Sequence, residues 1–300
     1  MKVLNICSDD YANFMHDNAK ALRSVGVDCI DLKTKKHEFN YAEESIVVDI
    51  EKIKEAVKDA DVVQIFHSED WLIPMCDGKK VIMYHTGTRY RMRPEWYDKA
   101  CKTADQIIIA LPEFYKNNGE RYIVGAVDTD LIIPVDVRNE KKVIGHFPSN
   151  PNVKGSAMIN EVVEKLKDEF DFIYCYSDEI LPHKLQLERM AQCDIYIEML
   201  APEQNGKKYG SFGITGLEAA ALGKVVLTQN LGEKVYANEY CALTPFVKYS
   251  DKEEFEKMLR MILKRDDIGA LQKITRDWVV NNHSYKATGR KLKQIIYELF

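Results

Sequence analysis

The chain alternates short apolar runs rich in β-branched residues with longer amphipathic segments, and it does so in both halves. Parallel strands need a crossover connection, usually a helix, and strands buried on both faces are nearly continuously apolar. The alternation therefore predicts parallel sheets covered by helices on both faces. The predicted strands lie at residues 2–7, 27–32, 61–66, 80–85, 105–110, 121–125, 142–147, 170–175, 193–198, 224–228 and 241–246. The predicted helices lie at residues 11–24, 51–58, 94–102, 154–167, 182–191, 213–222, 251–264, 267–281 and 284–300.

Two stretches start in the same way, with a strand followed by a polar loop and a helix: "MKVLNICSDD" and "KKVIGHFPSN". A length of 300 residues also favours two domains over one. The sequence predicts two Rossmann-like, doubly wound α/β domains, at residues 1–137 and 138–282, with a C-terminal helix at 283–300 that returns to the first. Open parallel sheets bind ligands outside the carboxyl ends of their strands, so a cleft between the domains is expected there.

Composition excludes several classes of protein. With 46% hydrophobic and 30% charged residues and a net charge of −5, the chain is that of an ordinary globular protein. The charge predicts no nucleic-acid or anionic-membrane partner. The seven cysteines include no CxxC spacing, and no signal peptide or membrane-length apolar stretch is recognisable. We expect a cytoplasmic protein with reduced thiols and no transmembrane segment.

The stretch "YGSFGITGLEAAALGKVVLTQ", residues 209–229, combines a glycine-rich loop with the start of a helix. The free N–H groups of that helix start would bind a phosphate, and Glu218, one turn in, would accept hydrogen bonds from ribose hydroxyls. Three alanines would let the helix lie close to the sheet, and Gly223 would end it. A tight turn with an ordinary acid in the first helical turn is the competing interpretation. The three loop glycines are Gly210, Gly213 and Gly216.

A second loop, "HFPSNPNVKGSAM" at 146–158, follows another predicted strand of the same domain. Lys154 lies at the start of a predicted helix, where a cation opposes the helix dipole unless it shares an anion with nearby N–H groups. We therefore predict that Ser149, Lys154 and Gly155 contribute to binding the same diphosphate. A solvated lysine is the alternative.

These motifs resemble those of the GT-B glycosyltransferases, in particular the retaining family 4 type. "HFPSNPNVKGS", "AQCDIYIEML" and "GSFGITGLEAAALGKVV" follow one another in the order of that family's donor domain. "VVQIFH", "VIMYHTG" and "YIVGAVDTDLIIP" resemble its first domain and the domain junction, and "WVVNNHSYKATGRKLKQIIYELF" resembles its tail. The resemblance covers nearly the whole chain and is strongest at 209–228.

The resemblance implies specific roles. Glu218 would hold the ribose of the donor and Lys154 its diphosphate, while His85, in the first domain, would reach the donor sugar near the reacting carbon. These three residues are the predicted catalytic residues. Backbone groups under the sugar and phosphate would come from Phe212, Gly213 and Ile214.

Two residues of the family pattern are missing. The first glutamate of its paired-glutamate motif falls on Gly210, and the arginine that accompanies the lysine falls near Pro151. Another residue could have taken over, the donor could be unusual, or the enzyme could be weakened. The possible replacements are Arg189, Lys207 and Lys208.

Other polar residues at predicted strand ends are weaker candidates. His67 and His146 follow apolar runs, and Asp9 and Asp10 follow the first strand. The segment "TRYRMRPEW" could receive an acidic acceptor or sugar rings, or it could be a solvated loop. Its charged and aromatic residues are Arg89, Tyr90, Arg91, Arg93 and Trp96.

A possible metal pair, Asp128 and Asp130, falls in the predicted domain junction, and the family needs no metal. No GxGxxG follows the first strand, which disfavours a nicotinamide enzyme.

The sequence thus predicts a glycosyltransferase that moves a sugar from a nucleotide-diphosphate sugar to a hydroxyl acceptor. The family implies retention of configuration and no metal or other cofactor. A UDP-sugar is the expected donor and a GDP-sugar the second choice. The acceptor could be a glycan, a glycolipid, a small molecule or a polymer. Two alternatives stay open: a nucleotide-sugar-binding protein that has lost transfer, and a GT-B sugar-nucleotide epimerase.

Overall fold

The computed structural model describes residues 1–137, 139–200, 203, 209–230 and 232–300. The chain divides into two compact units. Unit 1 consists of residues 1–126 and 283–300, and unit 2 of residues 127–282.

Unit 1 contains a seven-stranded sheet in which every pair of neighbouring strands is parallel. In chain order its elements are β1 (Lys2–Cys7), α1 (Phe14–Ser24), β2 (Asp28–Lys33), β3 (Ile46–Val47), α2 (Ile50–Asp59), β4 (Val62–Ile65), β5 (Lys80–His85), α3 (Gly87–Met92), α4 (Pro94–Ala100), β6 (Gln106–Ile109) and β7 (Arg121–Tyr122). Short 3₁₀ helices lie at Tyr11–Asn13, Asp70–Cys76 and Pro112–Phe114. The strand order is β3-β2-β1-β4-β5-β6-β7.

Unit 2 contains a second parallel sheet, of five strands in the order β12-β11-β10-β8-β9. In chain order the elements are β8 (Lys142–His146), α5 (Pro151–Lys154), α6 (Ser156–Leu166), β9 (Phe172–Tyr176), α7 (His183–Ala191), β10 (Ile195–Met199), α8 (Ile214–Ala221), β11 (Val225–Gln229), α9 (Glu233–Tyr240), β12 (Val247–Tyr249), α10 (Lys252–Leu263) and α11 (Gly269–His283). The last residue of α11, His283, belongs to unit 1. The last helix of the chain is α12 (Tyr285–Tyr297), in unit 1.

The C-terminal helix packs against α1, as the sequence predicted. A Cβ atom at Gly289 would lie only 2.1 Å from the carbonyl oxygen of Ala21, so only glycine lets the two helices approach this closely. Ser284 caps α12, because its side chain accepts the N–H of Ala287 at 3.3 Å. The predicted pair of doubly wound sheets with a returning helix is therefore confirmed.

Helix α8 ends in the way its sequence predicted. Gly223 takes a φ of +69°, and its N–H donates to the carbonyl of Ala220 at 2.9 Å. The next N–H, of Lys224, donates to the carbonyl of Ala219 at 2.9 Å, which completes a Schellman motif. All three alanines of α8 are fully buried, and the helix packs against β10 and β11. This close packing holds the N-terminus of α8 at a fixed place beside the strand ends.

The predicted strand at 241–246 is wrong. Cys241, with a φ of +52°, follows the end of α9, and strand β12 begins only at Val247. Pro245 lies inside the predicted run and cannot donate to a sheet ladder. Phe246 instead turns inward, where it is 4% exposed.

Smaller differences concern the ends and number of elements. The strand predicted at 121–125 pairs only over Arg121–Tyr122. Besides the short 3₁₀ helices and β12, four further elements were not predicted, β3, α3, α5 and α9. Among the described residues, no helix has the length and apolar character that crossing a membrane requires.

Candidate functional site

Lys154 lies at the junction of two helices beyond the carboxyl end of β8. Asn150 starts α5, where its side chain accepts the N–H of Val153 at 3.2 Å, and Lys154 ends it. Gly155 follows with a φ of +71°, a conformation that favours glycine and lets the chain turn at once into α6. The carbonyl of Lys154 accepts the N–H of Leu200 at 3.0 Å, so the end of α5 is fixed to the chain that leaves β10.

The side chain of Lys154 forms an ion pair with Glu198, a residue that the sequence analysis did not single out. Glu198 lies on β10, next to its carboxyl end, and its side chain is fully buried. One oxygen, Oε1, contacts Lys154 Nζ and also accepts the N–H of Gly213 at 3.3 Å. The other oxygen, Oε2, has no hydrogen-bond partner among the described residues.

Gly213 is the N-cap of α8, and the loop before it is held by aromatic packing. Its backbone is extended, with a φ of −124°, whereas Gly210 takes a φ of +90°. Phe212 is 3% exposed. Its ring lies edge-on to three other aromatic rings at centroid distances of 4.9–5.8 Å, those of Tyr236, Phe246 and Trp278. The first residues of α8 therefore rest on a packed base.

Gly216 lies in the first turn of α8 and leaves room for the buried carboxylate. A Cβ atom there would lie 3.1 Å from Cβ of Phe212 and 3.6 Å from Cδ of Glu198. The glycine spacing seen in the sequence thus serves the packing of Glu198 and Phe212 against α8.

Glu218 lies one turn into α8 and is 7% exposed. Its Oε1 is 2.5 Å from Nε2 of His183, the first residue of α7. His183 was also missed, because a histidine at the start of a predicted helix carries no signal of its own. The contact fixes the rotamer of the carboxylate.

Two carboxylates therefore lie near the start of α8, Glu198 at its N-cap and Glu218 one turn into the helix, each with one basic partner. Both contribute to the environment of Tyr196, whose pKa is raised well above its usual value, first by burial and then by Glu198 and Glu218. Of the predicted binding residues, Ile214 opens α8, and Ser149 is exposed in the loop before α5.

His146, at the end of β8, has a structural role. It is fully buried, with Nδ1 2.8 Å from the carbonyl oxygen of Ile197 and Nε2 2.8 Å from Oγ of Ser156. Burial lowers its pKa to about 4, so the ring is neutral at pH 7. Because a carbonyl only accepts, Nδ1 carries the proton and Nε2 accepts from the serine hydroxyl.

His85 lies at the end of β5 in unit 1 and is 1% exposed. Its Nδ1 is 2.9 Å from Oγ of Ser68, and its ring stacks on Tyr90 with centroids 4.1 Å apart. Burial lowers the pKa of His85 to about 4, so this ring is also neutral at pH 7.

The first strand end of unit 1 carries Asp10, which is fully buried. Its two oxygens accept the N–H groups of Met15 and His16 at 2.8 and 3.0 Å, so the side chain organises the start of α1. His67 Nε2 lies 3.3 Å from Asp10 Oδ1. Cys7, Asp10 and His67 bring three potential metal-ligand atoms within 4.8 Å of one another.

The arginine segment after β5 is largely engaged within unit 1. Arg89 lies 3.2 Å from the buried carboxylate of Glu69, and Arg91 donates to Glu113 at 2.7 Å. Trp96 is 61% exposed. Two of the three arginine charges that the sequence offered to an acidic acceptor are thus already paired.

The remaining candidates have local partners. Oδ1 of Asp128 accepts the N–H groups of Asp130 and Leu131 at 3.2 and 3.0 Å, which forms a turn. Arg189 NH2 lies 3.5 Å from Oε2 of Glu179. Lys207 and Lys208 lie outside the described residues.

Solved structures of glycosyltransferases share this fold along the whole chain. An α-glucosyltransferase in complex with UDP and a 13-mer DNA matches with a TM-score of 0.70 at 12% identity, over 99% of each chain. A glycosyltransferase from Rickettsia africae matches with a TM-score of 0.67 at 15% identity, over 99% of this chain and 98% of the other. The catalytic domain of starch synthase IV from Arabidopsis thaliana, bound to ADP and acarbose, matches with a TM-score of 0.65 at 9% identity, over 100% and 99%.

No protein-family model matches the chain, and no curated protein matches it. The structural matches establish that the chain has the GT-B fold, as the resemblance implied. At 9–15% identity they show the fold alone.

Proposed function

We propose that the protein is a glycosyltransferase that moves a sugar from a nucleotide-diphosphate sugar to a hydroxyl acceptor, with retention and without a metal. The observation that carries this proposal is the arrangement at the N-terminus of α8. A helix N-cap, Gly213, a lysine, Lys154, and a carboxylate one turn into the helix, Glu218, lie at the ends of β8 and β10. Carboxyl ends of parallel strands are where such sheets bind ligands.

Each residue has a defined part in the proposed reaction. The N–H groups at Gly213 and Ile214, with Lys154, would stabilise the charge that grows on the leaving diphosphate. Glu218 would accept hydrogen bonds from the ribose hydroxyls, in a rotamer fixed by His183. Ser149, Gly155 and the backbone of Phe212 belong to the same proposed donor site.

His85 retains its proposed contact with the donor sugar near the reacting carbon. Because its pKa is about 4, it would offer a hydrogen bond and no charge at pH 7. The acceptor oxygen would attack from the side of the leaving group and pass its proton to the departing phosphate. No residue of the chain then needs to act as a nucleophile.

The structural neighbours support a nucleotide-sugar donor, since one is in complex with UDP and another with ADP. We propose a UDP-sugar first and include GDP- and ADP-sugars among those to be tested. For the acceptor we propose a hydroxyl-bearing glycan, glycolipid, small molecule or polymer, and for the location of the reaction the cytoplasm.

A second candidate is a protein that binds a nucleotide sugar without transferring it. Two observations favour it: Gly210 replaces an acid of the family pattern, and Lys154 is already paired with Glu198. Donor binding without release of free nucleotide diphosphate would identify this function.

The test measures the thermal unfolding temperature with UDP-, GDP-, ADP-, dTDP- and CMP-sugars, with and without Mg²⁺. A ligand at 100 times its Kd stabilises by about 2.7 kcal/mol, which raises Tm by several degrees in a chain of this size. We expect one nucleotide sugar to raise Tm without Mg²⁺, and Glu218→Ala to abolish the shift. No shift with any of the five would refute the proposal. Release of free nucleotide diphosphate in the presence of an acceptor distinguishes transfer from binding. Formation of an isomerised donor in the absence of an acceptor would indicate an epimerase.

A further inference from the structure

The anion site that the proposed function requires already contains an anion from the protein itself. Glu198 Oε1 contacts Lys154 Nζ and accepts the N–H of Gly213 at 3.3 Å. These are a cation and a helix N-cap amide, the two kinds of group that bind a phosphate oxygen at a helix start. A carboxylate oxygen thus engages both groups at once.

The two partners of this ion pair differ in their access to solvent. The Lys154 side chain is 21% exposed, whereas the Glu198 side chain is fully buried. A ligand can therefore reach the lysine from solvent but cannot reach the acid directly. If the Lys154 side chain rotates to pair with a bound phosphate, the Glu198 carboxylate remains buried, and its Oε2 has no partner among the described residues.

A buried carboxylate without its counter-charge is strongly disfavoured, and it becomes neutral by taking up a proton. We propose that Glu198 is a specificity-determining residue of the donor site, and that it binds one proton when a nucleotide-diphosphate sugar takes Lys154 from it. The proton comes from solvent and forms an O–H bond on the carboxyl group, while Lys154 stays protonated and pairs with the diphosphate. This inference rests on the proposed donor site.

The consequence for recognition is that an anion must displace an internal competitor. A simple anion such as inorganic phosphate gains only contacts with Lys154 and the N–H groups at the start of α8, while a nucleotide sugar adds contacts from its ribose and base. Glu198 would thereby favour ligands that bind with the whole nucleotide over simple anions.

Charged and titratable groups face Glu198 from several neighbouring elements. Lys154 of α5 supplies the positive charge, and the amide of Gly213 comes from the start of α8. Two buried tyrosines have pKa values raised first by burial and then by Glu198, Tyr196 of β10 and Tyr249 of β12, and both stay neutral. Beyond these lie His146 of β8, whose pKa of about 4 keeps it neutral, and the Glu218–His183 pair.

His183 is the residue whose protonation could imitate the proposed effect, because its partner Glu218 is itself part of the donor site. His183→Gln therefore serves as the matched control. It removes the titrating ring but retains a hydrogen-bond donor for Glu218.

The experiment is calorimetric titration at pH 7.5 with UDP-, GDP- and ADP-glucose, in two buffers of different ionisation enthalpy. Both phosphates of these ligands are esterified, so the ligand does not titrate in this range. The difference between the buffers gives the number of protons bound. We expect about one proton taken up per donor by the wild-type protein and by His183→Gln. We expect none for Glu198→Gln, which should bind at least tenfold more tightly because Lys154 is no longer paired.

Uptake of no proton by the wild-type protein, uptake that persists in Glu198→Gln, or weaker binding by that variant would each overturn the inference and leave the donor site standing. Binding of none of the ligands would overturn the proposed donor site and the inference with it. Glutamine keeps a carbonyl that can accept the N–H of Gly213. If its unfolding temperature shows that this variant is misfolded, Glu198→Met, which has a similar volume and no charge, provides the same comparison.

Discussion

The polar side chains at the carboxyl ends of the strands have different roles in the two units. In unit 1, His85 is held by Ser68 and Tyr90, and Asp10 organises the start of α1. In unit 2, Glu198 keeps one oxygen without a partner among the described residues. Satisfied polar groups stabilise a fold, whereas a buried unsatisfied one needs a further explanation, and a ligand site is such an explanation. In unit 1 the buried Oε1 of Glu69 also lacks a hydrogen-bond partner among the described residues, but Arg89 lies 3.2 Å from it. The proposal of a donor site in unit 2 is therefore supported by Glu198 together with Lys154 and the start of α8.

The largest expected effect comes from breaking the buried ion pair of unit 2. Lys154→Met leaves Glu198 buried without a counter-charge and should lower the free energy of unfolding by about 4 kcal/mol. Lys154→Met combined with Glu198→Met should recover most of this loss. The measurement is urea unfolding of the single and double variants.

The matched control is Lys116→Met in unit 1, where Lys116 pairs with Asp98. Those side chains are 38% and 43% exposed, so the loss should be about 1 kcal/mol or less. Equal losses in the free energy of unfolding for Lys154→Met and Lys116→Met would show that burial of Glu198 has no energetic consequence.

A second difference concerns pH. Unit 1 contains two buried histidines with lowered pKa values, His85 at about 4 and His283 at about 3, and unit 2 contains His146 at about 4, each lowered mainly by burial. The unfolded chain binds protons near pH 6.5 while these folded rings stay neutral. Stability is therefore lost as pH falls from 6.5 towards 4, by about 2 kcal/mol per histidine between pH 6.5 and 5.

Unit 1 should thus lose about 2 kcal/mol more than unit 2 over this interval. Hydrogen exchange of the slowest amides in each sheet, corrected for the intrinsic pH dependence of exchange, measures both losses in one experiment. A greater loss in unit 2 would contradict the assignment of neutral, buried rings.

The smallest effect distinguishes two glycines at the start of α8, Gly213 at its N-cap and Gly216 in its first turn. Gly216→Ala places a Cβ atom 3.1 Å from Cβ of Phe212 and should cost about 1.5 kcal/mol. At Gly213, where φ is ordinary, the single contact of a Cβ atom within 4 Å among the described residues is Oε1 of Glu198, at 3.9 Å, so Gly213→Ala should cost less than about 0.5 kcal/mol. Thermal unfolding of the two variants measures the difference, and a larger loss for Gly213→Ala would contradict the packing described for this loop.

Much of the fold could be predicted because local patterns and topology agree. Apolar strand runs, helical spacing and the glycine after α8 each depend on neighbours in the sequence, and the structure contains them. The prediction of a strand at 241–246 was wrong because the apolar composition of this run was given more weight than the proline inside it. The sequence could place Lys154 and Gly213 in neighbouring loops, but the side-chain pairing between β10 and α5 depends on packing that no local pattern encodes.

One of the two missed site residues could have been found. Glu198 ends the predicted strand "CDIYIE", and a charged residue at the end of an otherwise apolar run is the same signal that identified the strand-end histidines. His183 carried no such signal, since its role depends on how α7 packs beside α8.

The proposed donor site at the start of α8 is tested most directly by locating the residues at which a bound donor slows hydrogen exchange. The nucleotide sugar that raises Tm most is added at saturation, and the exchange of peptides from both units is compared with that in the free protein. We predict slower exchange at Gly213, Ile214 and the segment around Lys154 and Gly155. Protection confined to the strand-end loops of unit 1, or no protection in either unit, would contradict a donor site at the start of α8.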